Sequence, residues 1–152
     1  MQKILILEDD NIIAQDLKLI VESAEFEVVK ILNGSENVIK EILFSDPDII
    51  LCDIYLKNNQ NGIDLMEKLL NKKFIPVIFI TAHTNNDVIS GLSKVKHDGF
   101  IVKPFIEQQV IATTKIIAQK NKSYGDSFNL TKRENEIVLL LINGKTSGEI
   151  SA

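Results

Sequence analysis

The sequence has one cysteine, Cys52, no tryptophan and only three prolines. A lone cysteine excludes an internal disulfide and any thiolate metal cluster. Long hydrophobic runs are lacking too. The longest apolar stretch, Phe74 to Ile80, contains Pro76 and falls far short of the about 20 residues a membrane helix needs. The apolar run from Ile4 to Leu7 meets Glu8, Asp9 and Asp10 at once, unlike a secretory signal, so a cytoplasmic protein with no membrane attachment is expected. Basic excess is absent: the net charge is −4, and residues 121–152 carry as many acids as bases. A general nucleic-acid binder would show a basic arm or face.

With 45% apolar and 25% charged residues, the chain has the balance of a folded domain rather than a disordered one. Its 152 residues allow one domain, 1–120, and a fragment too short to bury a core of its own. Five short apolar runs, 3–7, 26–32, 48–52, 76–80 and 99–102, alternate with stretches of helical length. The runs are continuous rather than alternating, as parallel strands covered on both faces should be. Between them Ile13, Leu17, Ile20 and Ala24 trace one helical face. Val38, Ile39, Ile42 and Leu43 trace a second, and Leu65, Met66, Leu69 and Leu70 a third. A weaker helix is expected over 84–92, and a last one over 106–120 with Ile106, Val110, Thr113 and Ile117 on one side. This alternation predicts an α/β fold, a doubly wound five-stranded parallel sheet.

In such a sheet, ligands sit beyond the carboxyl ends of the strands. There stand Glu8, Asp9 and Asp10 after the first run, Asp53 after the third, Thr81 after the fourth, and Lys103 with Pro104 after the fifth. Two carboxylates about 4 Å apart repel by roughly 4 kcal/mol at an effective dielectric near 20. Such a cluster must hold protons or a cation. A few hard oxygen ligands suit Mg²⁺, which keeps several waters and shares itself with phosphate. A lysine and a hydroxyl facing that ion would receive a phosphoryl group, and a carboxylate could be its nucleophile. Each residue also has a plainer role open to it. Asp10 is placed to cap the helix that starts near Asn11, Thr81 alone would suit a turn, and Lys103 alone would be a solvated charge. Cys52 on an apolar run reads as a small core residue. Coincidence at four separate strand ends argues for a site.

The runs 3–10 (KILILEDD), 48–53 (DIILCD), 62–65 (GIDL), 77–82 (VIFITA) and 99–105 (GFIVKPF) together resemble the receiver domain of two-component response regulators. That resemblance, spanning residues 1–120, implies a flavodoxin-like receiver fold with Asp53 as phosphoacceptor and a sensor histidine kinase as donor. It implies Mg²⁺ held directly by Asp9, Asp53 and the backbone carbonyl of Tyr55, with Glu8 acting mainly through water. Thr81 would donate to the phosphoryl group, Lys103 would pair with it, and the Lys103–Pro104 peptide would be cis. Thr81 and Phe100 would form the conformational switch, leading to a possible homodimer on phosphorylation. Such a protein is a signalling phosphoacceptor rather than an enzyme with turnover. Three departures stand out: the loop 56–61 lacks the family's proline, Phe100 replaces the commoner tyrosine, and Tyr55 and His83 flank the path of an attacking water.

Residues 121–129, polar and carrying Gly125, read as a linker. Beyond it, 130–138 (LTKRENEIV) and 144–150 (GKTSGEI) resemble the start of a LuxR-type helix-turn-helix domain, with Thr131/Glu134 and Thr146/Glu149 as capping boxes. The segment 130–152 would be the truncated N-terminal part of that domain, stopping before a recognition helix. DNA binding is therefore expected of a full-length form and not of this chain. The alternative output is protein–protein signalling or phosphorelay without DNA. Two other classes fit worse. A Mg²⁺-dependent aspartyl phosphatase wants Asp-x-Asp where Glu8-Asp9-Asp10 stands. A flavin or nucleotide binder wants a phosphate-cradling loop where these acids stand.

Overall fold

A computed structural model of the chain describes residues 1–57, 59–82 and 85–128. Five strands alternate with five helices: β1 Lys3–Leu7, α1 Asn11–Ser23, β2 Glu27–Leu32, α2 Val38–Ser45, β3 Ile49–Asp53, α3 Gly62–Leu70, β4 Val77–Thr81, α4 Asn86–Lys94, β5 Gly99–Val102 and α5 Glu107–Phe128. The strands form one parallel sheet in the order β2-β1-β3-β4-β5. This is the five-stranded, doubly wound α/β sheet expected from the sequence.

The continuous apolar runs follow from the two covered faces of the sheet. Along β1, Ile4 and Ile6 face the core shared with Leu17 and Val21 of α1 and Val110 and Ile117 of α5. Leu5 and Leu7 face the opposite core, with Ile42 of α2, Met66 of α3 and Val88 of α4. Side chains alternate across a strand, so covering both faces demands an apolar residue at every position. All five residues of β3 and of β4 are buried, whereas the edge strands β2 and β5 retain exposed positions.

Local signals explain the helix starts. Asp10 accepts from the backbone N–H groups of Ile12 and Ile13 and so caps α1. Asn37, Asn61 and Asn85 cap α2, α3 and α4 in the same way. One expectation is corrected. Ile106 precedes α5 and is 64% exposed, so it lies outside the face that Val110 and Ile117 bury. The stretch 121–129, expected as a linker, is helical as far as Phe128. It contains no proline, and one glycine in a helix costs only about 1 kcal/mol. Residues 130–152, with the helix-turn-helix resemblance, lie outside the described residues, as does His83. Among the described residues no helix is long and apolar enough to cross a membrane.

Candidate functional site

β1 and β3 are neighbours, yet β1 leads through α1 to β2 on one side of the sheet while β3 leads to β4 on the other. Their carboxyl ends therefore border the crevice where helices depart to opposite faces, which is where such sheets bind ligands. The register sets Leu7 beside Cys52 and Asp53 beside Ile80. Glu8 and Asp9 thus leave β1 next to the end of β3, and Thr81 closes β4 one residue beyond the partner of Asp53. Thr81 pairs in turn with Val102, and the backbone N–H of Lys103 donates to the Thr81 carbonyl at 2.8 Å. The sheet brings all four strand ends to one rim.

Carboxylate oxygens of Glu8, Asp9 and Asp53 lie within 4.8 Å of one another. Glu8 and Asp53 are only 2% and 7% exposed. The Lys103 ammonium stands 3.3 and 3.2 Å from the two oxygens of Glu8 and 3.3 Å from Asp53 Oδ2. One ammonium shared between two buried acids does not neutralise both. Burial first, then the hydrogen bond and negative charge of Asp53, push the Glu8 carboxyl up to about 8, against the opposing pull of Lys103. Without a cation, Glu8 therefore keeps its proton at neutral pH. Burial likewise pushes the Cys52 thiol well up, so it is an inert core group and not a nucleophile.

Three oxygen donors of this kind, opening onto a depression of about 500 Å³ lined by Glu8, Asp9, Asp53, Lys57 and Lys103, fit a small hard cation with waters and a phosphoryl oxygen. Asp10 lines the same depression, but its carboxylate is engaged as the α1 cap. Thr81 is fully buried at the end of β4. Tyr55 forms an isolated antiparallel bridge with Asn61 and is 42% exposed, at the start of the loop that follows Asp53. The Lys103–Pro104 peptide is cis. Phe100, half-buried on β5, lies in register with Phe79 and packs on the core under α2, α3 and α4.

Two features escaped sequence reasoning. The backbone N–H of Lys57 donates to Asp9 Oδ2 at 3.1 Å, a contact between residues 48 positions apart. Only the missing proline in this loop hinted at it, since proline has no N–H to give. Gly62 is the second. A Cβ there would collide with the Asp53 carbonyl oxygen and lie 2.8 Å from Cys52 Sγ, so the first turn of α3 presses on the backbone of Asp53 itself.

Comparison with known proteins agrees with this fold. The family model described as the response regulator receiver domain matches residues 4–115. The DNA-binding response regulator MtrA of Mycolicibacterium smegmatis is 29% identical over 124 residues, covering 80% of this chain and 52% of the relative. The response regulator ArlR of Staphylococcus saprophyticus is 26% identical over 166 residues, covering 95% and 74%. Among solved structures, the N-terminal domain of a response regulator/sensory box/GGDEF 3-domain protein from Carboxydothermus hydrogenoformans superposes with a TM-score of 0.72 at 27% identity, covering 80% of this chain and 98% of that one. The chain spans about half the length of the MtrA proteins it matches.

Proposed function

Since the chain belongs to the response regulator receiver domain family, we propose that it accepts a phosphoryl group on Asp53 from the phosphohistidine of a sensor histidine kinase. The supporting observation is the meeting of Glu8, Asp9 and Asp53 within 4.8 Å, with Lys103 bonded to both buried acids. In the proposed step an Asp53 carboxylate oxygen attacks phosphorus. The P–N bond to the kinase imidazole breaks, its electron pair stays with the nitrogen, and an acyl phosphate forms.

Glu8, Asp9, Asp53 and the Tyr55 carbonyl would hold Mg²⁺, which supplies positive charge against the transferring phosphoryl oxygens. The chain's own groups do the rest. Lys103 gives up part of its contact with Asp53 and pairs with the phosphoryl group, and the Thr81 hydroxyl donates to another of its oxygens. These new contacts draw on Thr81 and Lys103, which flank Phe100. Phe100 then shifts its packing on the α4–β5 side, biasing the chain toward a homodimer.

The output we propose, for a form that carries a complete DNA-binding domain, is control of transcription. Relatives named as DNA-binding response regulators support it, and the LuxR-type resemblance of residues 130–150 supplies its finer form. Intact-mass measurement after incubation with acetyl phosphate and Mg²⁺ tests the acceptor. Wild type gains one phosphoryl group, and gains none when the metal is chelated before the phosphodonor is added; Asp53→Asn gains none in either case. Equal labelling of Asp53→Asn would move the acceptor elsewhere.

A further inference from the structure

We propose that the backbone N–H of Lys57 is a positioning group for the cation site, latching the Asp9 carboxylate so that one of its oxygens faces Glu8 and Asp53. The inference rests on the cation reading of that cluster and adds a residue to it. Asp9 is the least buried of the three acids and stands beyond the end of β1, so no strand ladder holds it. Beside the buried Asp53 carboxylate its own would be driven outward by repulsion. Among the described residues, the one hydrogen bond to its side chain comes from Lys57 N, at 3.1 Å to Oδ2.

The donor is itself held in place by the loop. Tyr55 bridges Asn61, and Leu56 N donates to the Gln60 carbonyl at 3.1 Å. The Leu56 side chain is 7% exposed and packs into the core under α2, α3 and α4. With Leu56 anchored below, Lys57 is presented at the rim with its side chain in solvent and its amide toward Asp9. Asp9 Oδ2 accepts the hydrogen bond from this amide, which fixes the orientation of the carboxylate beside Glu8 and Asp53. Hydrogen-bond partners of this kind orient a ligating carboxylate before the ion arrives. The working part is the backbone, so any residue except proline supplies it at position 57.

The test compares Lys57→Pro, which removes the N–H, with Lys57→Ala, which removes only the ammonium. Mg²⁺ dissociation constants are measured by calorimetry on the full chain, with folding checked by circular dichroism. Lys57→Pro is expected to bind about tenfold more weakly, the lower end for such partners. Lys57→Ala is expected to bind no more weakly than wild type, because it removes a positive charge near the ion. A second measurement does not depend on the proline variant folding. Amide hydrogen exchange at Lys57 should accelerate about fivefold in Asp9→Ala, the factor that corresponds to the net worth of one hydrogen bond, while Leu56 is unchanged.

Wild-type binding by a folded Lys57→Pro overturns the latch, as does equal weakening in Lys57→Ala. Unaltered Lys57 exchange in Asp9→Ala overturns it too, and decides the matter if Lys57→Pro does not fold. Failure of wild type to bind Mg²⁺ would instead strike the cation reading, with the exchange result still judging the latch.

Discussion

Lys103 reaches both carboxylate oxygens of Glu8, at 3.3 and 3.2 Å, across 95 positions of sequence. The same ammonium touches Asp53 at 3.3 Å, so one cation is divided between two buried acids. The site is therefore short of positive charge, and its behaviour with protons, metal and phosphate follows from that deficit.

The Glu8 carboxyl titrates near 8 in the folded chain against an ordinary value of 4.5. The folded state thus holds a proton that the unfolded state releases. The stability this contributes is full below pH 4.5 and is lost as pH rises through about 8. Metal-free protein should lose stability over that window, with a slope from Glu8 no steeper than about 1.4 kcal/mol per pH unit. Glu8→Gln should remove that part of the slope. A cation must displace the same proton, so Mg²⁺ should bind more tightly near pH 8 than near pH 6. Thermal melts with and without Mg²⁺ across this range measure both effects, and pH-independent affinity would mean that Glu8 is already ionised.

Lys103→Met separates metal binding from phosphoryl transfer. Removing an ammonium 3.3 Å from Asp53 should leave Mg²⁺ affinity equal or higher. Labelling by acetyl phosphate should fall at least about tenfold, because a fixed charge on the transferring group is lost. A variant weakened in metal binding alone would contradict this division of labour.

Asp10 lies beside the cluster but caps α1. Asp10→Ala should cost about 1 kcal/mol in urea denaturation. Its Mg²⁺ affinity should stay within about threefold of wild type, as for loss of a screened surface charge. A larger loss of affinity would make Asp10 a ligand.

Gly62→Ala should be severe, because its Cβ meets the Asp53 carbonyl and not the end of a flexible side chain. A loss of about 2–3 kcal/mol in urea denaturation is expected, with slower phosphorylation as the Asp53 backbone shifts. Wild-type stability and labelling would show that α3 does not brace the acceptor.

Much of this was legible in the chain itself. Continuous apolar runs such as Ile4 to Leu7 announced strands covered on both faces, and each observed strand begins within one residue of its expected position. Asp10 was readable as a cap because capping depends on residues two and three positions away. Ile106 was misjudged because helical spacing does not reveal that α5 begins one residue later.

Local order in this protein was thus written in residue type and spacing: the strands, the caps, and the acids and lysine waiting at strand ends. Tertiary structure alone decided that Lys103 would be shared by Glu8 and Asp53, that Glu8 would hold a proton, and that Lys57 would offer its amide to Asp9. The reason is physical. Propensity and periodicity act over a few residues, whereas desolvation, shared charge and backbone donation depend on which distant segments the sheet order makes neighbours.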